Sequence, residues 1–223
     1  MEKRSAGAMK TGNRLTGSPQ AARRLFFEHV PSNIKEKRMN TTKQESRIFL
    51  IADTHFGDEN IRLYEERPFP DTDTMDREII RRWNSVVSDN DLVYHLGDFC
   101  SGGQARCREL LSQLKGRKFL VIGNHDTYLS PQEWRDLGFE ECYNLPVILK
   151  DFFILSHAPL YVCRSMPYAN LYGHVHSHPS YRTVSSRSAC VSVERIDYTP
   201  ILLETLREQI REAEKQETLH PSE

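Results

Sequence analysis

The feature that most constrains this chain is a short apolar run that stops abruptly in polar residues. Residues 119–122 are apolar, include two β-branched side chains and have the length of a buried strand. Gly123 lets the backbone turn there and approach another group closely. Asn124, His125 and Asp126 then present an amide oxygen, an imidazole and a carboxylate in consecutive positions. Such an ending predicts that something polar binds at the carboxyl end of this strand.

Four other apolar runs of strand length also deliver Asp or His at their carboxyl ends. The residues that follow these runs are Asp53 and His55, Asp98, His157, and His174 with His176. In open α/β sheets, ligands bind at the edge formed by the carboxyl ends of the strands. The recurrence of this pattern in five runs therefore predicts one shared site at a sheet edge.

Length and composition exclude several classes of protein. A chain of 223 residues is long enough for one domain with tails. Because 30 Lys and Arg oppose 31 Asp and Glu, the whole chain has no strong field for nucleic acid or an anionic membrane. No apolar run approaches the roughly 20 residues of a membrane span, and the first residues lack the apolar stretch of a secretory signal. Five cysteines without a C-x-x-C pair favour a reducing compartment, so a cytoplasmic location is expected.

The chain is predicted to consist of one domain between two tails. Residues 1–46 show no hydrophobic period, and within 1–38 nine Lys or Arg accompany three Glu. This segment is interpreted as a disordered basic extension, with a nucleic-acid-binding arm and an organellar transit peptide as alternatives. Met39 begins a sequence that would make a complete start for the domain, so the residues before it could be dispensable. The domain is expected to cover 47–215, and residues 216–223 are expected to fray.

Strand and helix patterns alternate in the first half, and strands dominate the second. The elements predicted from hydrophobic periodicity and capping signals are strands at about 47–52, 92–96 and 118–122, a polar loop at 56–74, helices at 75–88 and 107–114, a short helix from the capping box of Ser130 and Glu133, antiparallel strands at 147–150 and 152–155, strands at 171–172 and 191–194, and a terminal helix from Thr199 and Pro200. This order predicts an α/β fold with two packed sheets and helices outside.

The collected strand ends offer too many ligands for one ion. They supply seven donors, which fit two ions with one carboxylate shared between them: Asp53, His55, Asp98, Asn124, His157, His174 and His176. Mixed imidazole and oxygen ligands favour Mn, Fe, Zn, Co or Ni over Ca or Mg, and Mn is our first expectation. Two metals about 3.5–4 Å apart can polarise a phosphoryl oxygen and hold a hydroxide for in-line attack. The predicted reaction is hydrolysis of a phosphate ester.

These residues resemble the motifs of the calcineurin-like metallophosphoesterases. The matching blocks, in chain order, are Asp53-x-His55, Gly97-Asp98, Gly123-Asn124-His125-Asp126, His157 and Gly173-His174-x-His176. The first of these blocks alone is weakly specific and Gly97-Asp98 alone has almost no specificity, whereas Gly123-Asn124-His125-Asp126 after a strand is strongly specific. The five together are very specific and cover about 47–200. The chain lacks the long insertions of larger members and looks like the compact bacterial and phage ones. The resemblance implies two mixed sheets flanked by helices in αββα layers.

The resemblance also implies a role for each residue. Asp53, His55 and His176 would hold the first metal, and Asn124, His157 and His174 the second, with Asp98 as the bridge. His125 is not a ligand in this pattern; it faces the substrate, stabilises the transferring phosphoryl group and protonates the leaving oxygen. Asp126 is expected to orient His125.

Three other polar residues receive plainer interpretations. His95 lies within a strand, where a histidine is more often a satisfied core residue than a ligand. Arg62 and Arg67 lie in the polar loop at 56–74, and each is interpreted as solvated, although either could reach a substrate phosphate.

A phosphoesterase with a phosphate-ester substrate is the leading function, with diesters favoured and monoesters as the second choice. A nuclease is one alternative, but the near-neutral chain offers nucleic acid no support as a partner. A non-catalytic scaffold that kept the fold is another, but scaffolds usually lack ligands or the histidine equivalent to His125. No membrane partner is expected, and the sequence leaves the oligomeric state open.

Overall fold

Two five-stranded sheets form the centre of the protein in the computed structural model, which describes residues 28–29, 46–163, 165–179 and 185–219. The strands are β1 (Glu28–His29), β2 (Ile48–Ile51), β3 (Leu92–His95), β4 (Arg117–Val121), β5 (Glu141–Tyr143), β6 (Val147–Leu149), β7 (Phe153–Ser156), β8 (Ala169–Tyr172), β9 (Ser188–Cys190) and β10 (Ile201–Leu202). The helices are α1 (Glu59–Tyr64), α2 (Thr72–Val86), α3 (Gly103–Gln113), α4 (Pro131–Leu137) and α5 (Leu203–Leu219).

The first sheet has the strand order β10-β2-β3-β4-β5, and the second has the order β1-β6-β7-β8-β9. In the first sheet β2 to β5 run parallel, and β10 is antiparallel to β2. In the second sheet β6 and β7 form the predicted antiparallel pair, and β7 to β9 run parallel. The parallel strands of each sheet therefore carry their carboxyl ends to a common edge, which the predicted site requires.

The space between the two sheets contains a continuous apolar core. Alternating side chains of the first sheet, such as Leu50, Tyr94 and Val121, pack there with Phe153 and Leu171 of the second sheet. Helix α5 closes this layer with three buried side chains, those of Leu203, Leu206 and Ile210.

A second apolar core lies on the outer face of the first sheet. Phe49 and Val93 of this face pack against Trp83 of α2, Leu110 of α3 and Trp134 of α4. Because successive strand residues point to opposite faces, the same strands fill both cores. The predicted fold class, two packed mixed sheets flanked by helices, is confirmed.

Local sequence signals explain where these helices begin. The side chain of Asp71 accepts a hydrogen bond from the N–H of Thr74 and caps α2. Helix α4 begins with the predicted capping box, in which Ser130 and Glu133 satisfy each other's backbone N–H groups, and Pro131 occupies the first turn.

Several elements differ from the sequence predictions. The polar loop at 56–74 contains α1, which buries no side chain and so shows no hydrophobic period. Residues 191–194 were predicted as a strand, but the strand is Ser188–Cys190 and Val193–Arg195 form a 3₁₀ turn. The terminal helix begins at Leu203, because the two residues before it pair with β2.

The chain ends also differ from expectation where they are described. Within the predicted extension 1–46, Glu28–His29 form the edge strand β1, parallel to β6. Helix α5 runs to Leu219, four residues into the segment expected to fray. The other residues of both predicted tails, apart from residue 46, lie outside the described part of the chain. Among the described residues, the structure contains no helix with both the length and the apolar composition needed to cross a bilayer.

Candidate metal centre

The structure brings all seven predicted ligands together at the carboxyl ends of the strands. Their donor atoms fall into two groups, within each of which the His and Asp donors lie within 4.8 Å of one another. The first ligand group is Asp53, His55 and His176. The second ligand group is Asp98, His157 and His174, to which Asn124 is added by the contacts below.

The second ligand group converges on the amide oxygen of Asn124. Its Oδ1 lies 2.8 Å from Nε2 of His157 and 2.9 Å from Nδ1 of His174. His157 Nδ1 lies 2.8 Å from the carbonyl oxygen of Leu96. Because a carbonyl can only accept, Nδ1 carries a proton and donates it to Leu96. Nε2 then faces Oδ1 of Asn124 and Oδ2 of Asp98, and it is the nitrogen that would bind an ion, as in many metal-binding histidines.

Asp98 lies between the two groups. One carboxylate oxygen, Oδ2, is 3.5 Å from His55 Nε2 of the first ligand group and 3.4 Å from His157 Nε2 of the second. The other oxygen, Oδ1, accepts a hydrogen bond of 2.8 Å from the backbone N–H of His125. This is the position that a carboxylate shared by two ions would occupy.

The first ligand group is more deeply buried. Asp53 accepts hydrogen bonds from the N–H of His174 and from the hydroxyl of Ser192, the latter at 2.6 Å. The rings of His55 and His176 stack with centroids 5.3 Å apart. His55 Nε2 is fully buried and has no hydrogen-bond partner within the part of the chain that the structure describes. A buried orphan imidazole nitrogen beside two carboxylates fits a metal ligand, because an ion would supply the missing partner.

Five of the seven predicted ligands have backbone conformations with positive φ. Their φ values are 58° for Asp53, 46° for His55, 59° for Asp98, 71° for His174 and 44° for His176. Non-glycine residues rarely adopt this region, and those that do cluster at functional sites. The chain therefore turns sharply where β2, β3 and β8 end, which brings the polar side chains of these five residues to the site.

The motif glycines leave the space that the ligands occupy. A Cβ atom on Gly123 would lie 2.2 Å from Oδ1 of Asp98, and one on Gly97 would lie 2.4 Å from Nδ1 of His157. A Cβ atom on Gly173 would lie 2.6 Å from Oδ2 of Asp53. Any side chain at these three positions would displace a predicted ligand.

Burial and neighbouring charges set the protonation states in the site. Burial lowers the pKa of His55 to about 3, so its imidazole is neutral at neutral pH. Burial acts to raise the pKa of Asp98, but the hydrogen bond from His157 and the nearby imidazoles outweigh it and lower that pKa to about 2. Burial raises the pKa of Asp53 to about 6, against the attraction of His176 and His157. Burial acts to lower the pKa of His157, but its hydrogen bond to Asp98 and the charges of Asp53 and Asp98 outweigh it and raise that pKa to about 9, so this imidazole must release a proton to bind a cation. Neutral imidazole and ionised carboxylate are the forms in which such residues bind a cation.

His125 lies at the exposed mouth of the site. Its ring meets the buried ring of His55 edge-on, with centroids 5.1 Å apart. Its backbone N–H donates a hydrogen bond to Asp98, so the backbone of the loop 123–126 is held next to the ligand groups at His125. The ring is thus beside the ligand groups and accessible to a substrate.

Asp126 has a different task from the one predicted. Its buried carboxylate accepts hydrogen bonds from the backbone N–H groups of Asp98, Phe99 and Gly123, at 2.7, 2.9 and 2.9 Å. Burial raises the pKa of this carboxyl group, and these donors oppose the rise. Asp126 therefore joins the loops after β3 and β4, and its side-chain contacts are with the backbone rather than with the ring of His125.

The interpretation of Arg67 as a solvated loop residue was wrong. Its guanidinium is buried, donates to the carbonyl oxygens of Asp53 and Thr54, and pairs with Glu194. Arg62 pairs with Glu59 and donates to a backbone carbonyl. Glu194, which contacts His176, was not among the predicted site residues. A single glutamate after a short apolar run belongs to no motif with a characteristic spacing of residues.

His95 is a core residue, as predicted. It is fully buried, and its Nε2 lies 2.9 Å from the hydroxyl of Thr54. That hydroxyl donates to the carbonyl of Phe99, so His95 carries its proton on Nε2. Its Nδ1 has no hydrogen-bond partner among the described residues.

Comparison with known proteins places these motifs in a wider set of sequences. The profile of the family described as calcineurin-like phosphoesterase matches residues 46–218. The chain is 31% identical over 176 residues to the uncharacterized protein MJ1445 of Methanocaldococcus jannaschii. The aligned region covers 78% of this chain and 97% of that protein. It is 38% identical over 85 residues to the gene 66 protein of Mycobacterium phage L5, over 36% of this chain and 40% of the phage protein.

The fold is shared with a solved structure. The crystal structure of the protein of unknown function AQ665 from Aquifex aeolicus matches with a TM-score of 0.57 at 27% identity. The match covers 73% of this chain and 98% of that chain. The two chains therefore share a fold over most of this chain.

Proposed function

The chain belongs to the calcineurin-like phosphoesterase family, and from that premise we propose that it hydrolyses phosphate diesters with two divalent transition-metal ions. Family membership indicates a metal-dependent phosphoesterase. The proposal adds the number of ions, the role of His125 and the preference for diesters. The observation that carries it is the pair of ligand groups on either side of the Asp98 carboxylate.

The two ligand groups would each hold one ion, with Asp98 shared. When bound, two ions would polarise the phosphoryl group and activate a water for in-line attack. Imidazole together with oxygen donors favours Mn, Fe, Zn, Co or Ni, and we expect activity with Mn²⁺. The orphan Nε2 of His55, and the Nε2 of His157 once it has released its proton, would supply one imidazole nitrogen to each ion.

His125 would act on the substrate rather than on the ions. From the mouth of the site, its imidazole can donate a hydrogen bond to a phosphoryl oxygen and release a proton to the leaving oxygen. Diester cleavage generally needs such a proton, because its alkoxide leaving group is poor. The backbone hydrogen bond to Asp98 holds this residue beside the ligand groups.

The preference for diesters follows from charge. A monoester carries a second negative charge that cationic side chains usually neutralise. The two arginines of the segment 56–74 already have partners, since Arg62 binds Glu59 and Arg67 binds Glu194. A diester carries one net charge and relies more on the two ions as Lewis acids.

The test of function compares two variants on four kinds of substrate. The protein, reconstituted with Mn²⁺, is assayed on bis(p-nitrophenyl) phosphate and p-nitrophenyl phosphate, with cyclic nucleotides and short oligonucleotides as further substrates. On the cyclic nucleotides, whose leaving group is an alkoxide, we expect His125→Ala to lower kcat by about 10²–10⁴-fold with unchanged metal content. The control is His178→Ala, which changes an exposed histidine and should leave kcat near its wild-type value.

Different outcomes would contradict different parts of the proposal. Loss of metal in His125→Ala would mean that His125 is a ligand. A clearly higher kcat/KM for the monoester would exclude the diester preference. No hydrolysis of any ester by metal-loaded protein would favour a scaffold, and oligonucleotide cleavage above all other substrates would favour a nuclease.

A further inference from the structure

A buried ion pair lies directly behind the first ligand group. Nη2 of Arg67 is 2.7 Å and Nε is 2.9 Å from the same oxygen, Oε1 of Glu194. The exposed fractions of the two side chains are 0% and 6%. Arg67 also donates to the backbone carbonyls of Asp53 and Thr54, at 2.7 and 2.8 Å. The pair is thereby attached to the loop that carries the first two ligands.

The same carboxylate oxygen reaches the third ligand of this group. Oε1 of Glu194 lies 3.1 Å from Nδ1 of His176. The hydrogen bond from His176 and the charge of Arg67 overcome the effect of burial and lower the pKa of Glu194, so it is an ionised acceptor at neutral pH. An ionised carboxylate only accepts, which places the proton of His176 on Nδ1 and leaves Nε2 for the ion. Carboxylates in this position fix ring orientation and raise ligand basicity.

The second ligand group is supported differently. His157 donates through Nδ1 to the neutral carbonyl of Leu96 rather than to a charged side chain. We propose that Glu194, held by Arg67, is a positioning residue that orients His176 and selectively raises the metal affinity of the first ligand group. This inference rests on the proposed dinuclear site.

Glu65, His176 and Glu194 also lie close enough to be considered as ligands of a separate ion. The positive charge next to Glu194 is already supplied by Arg67, at 2.7 Å. Glu65 accepts a hydrogen bond of 2.7 Å from the hydroxyl of Ser177. These contacts favour support of an existing ligand over a further cation site.

One atom of Glu194 suggests a selective variant. Its Oε2 is buried and has no hydrogen-bond partner in the described segments, while Oε1 makes the contacts with Arg67 and His176. Glu194→Gln can therefore keep an oxygen at the Oε1 position and place its amide nitrogen where no contact is lost. Glu194→Ala removes the acceptor altogether.

The experiment titrates Mn²⁺ into the full-length apo-protein and measures free Mn²⁺ by electron paramagnetic resonance. Wild-type protein should bind two ions. Glu194→Ala should raise the Kd of one ion by about 10–100-fold and leave the other unchanged. Glu194→Gln should recover most of this loss, and should remain folded if the alanine variant does not. The matched control, Glu140→Ala, breaks the surface ion pair with Arg117 and should change neither Kd.

Unchanged binding of both ions by Glu194→Ala, or equal weakening of both, would overturn the positioning role. Binding by Glu194→Gln as weak as by Glu194→Ala would also overturn it, because the retained acceptor should hold His176. Wild-type protein that binds fewer than two ions would instead refute the proposed dinuclear site. The visible spectrum of Co²⁺-loaded protein gives a second readout, since only the first site should change in Glu194→Ala.

Discussion

Replacing Asp126 with alanine should separate the two motif loops and thereby empty the metal centre. Its carboxylate accepts three backbone hydrogen bonds, from Asp98, Phe99 and Gly123. Two of these donors are the N–H groups of Asp98, the proposed bridge between the ligand groups, and of Gly123, where a side chain would overlap Asp98. Without the carboxylate, three buried N–H groups lose their acceptor.

The size of the effect follows from those three donors. Each buried donor left unsatisfied costs about 1–3 kcal/mol, and partial relaxation makes the costs less than additive. We therefore expect Asp126→Ala to lower the free energy of unfolding by about 3–5 kcal/mol. That is a large part of the roughly 5–15 kcal/mol of a typical domain. Asp126→Asn keeps one oxygen, which can serve the two donors at the Oδ2 position, so its cost should be about 1–3 kcal/mol.

Urea unfolding in the presence of a chelator measures this cost without a contribution from bound metal. Elemental analysis of Mn²⁺-reconstituted protein then shows whether the displaced Asp98 still supports two ions. Asp136 is an exposed residue of α4 whose carboxylate accepts a hydrogen bond from Gln132 and whose backbone carbonyl, which alanine keeps, accepts one from Arg108. Asp136→Ala is therefore the control, and its effect should stay within about 0.5 kcal/mol. If the free energy of unfolding of Asp126→Ala lies within about 1 kcal/mol of the wild-type value, and the variant keeps both ions, the role of Asp126 in connecting the loops after β3 and β4 is refuted.

Three further predictions follow from the same site. Gly123→Ala should push Asp98 away by steric overlap, costing about 1–3 kcal/mol and lowering metal content; full metal occupancy in this variant would contradict the overlap. Asp98→Ala should impair binding of both ions, because both ligand groups meet at its carboxylate, and a variant that still carries two ions by elemental analysis would exclude a bridge. Deleting residues 1–38 removes β1 but no predicted ligand, so fold and hydrolysis should persist; loss of the circular dichroism spectrum of the domain would show that the segment is required.

The sequence alone was sufficient to predict the class of fold and to nominate the candidate ligands. Apolar runs of strand length that end in Asp53, Asp98 and Asn124 are local patterns, and parallel strands necessarily carry their carboxyl ends to one edge. The capping box of Ser130 and Glu133 could also be predicted, because its two partners lie within four consecutive residues. Helix α1 was not predicted, because none of its side chains is buried and its sequence therefore shows no hydrophobic periodicity.

The tertiary structure decided which polar groups support the ligands. Asp126 follows His125 directly, yet its carboxylate binds backbone donors after β3, a segment brought near only when the sheet forms. Arg67 and Glu194 are 127 positions apart and meet only because the two sheets pack together. A charged residue in a sequence is by default solvated, and its burial depends on contacts that no local pattern records. The ligands could therefore be predicted from the strand ends, whereas the residues that orient them required the packed structure.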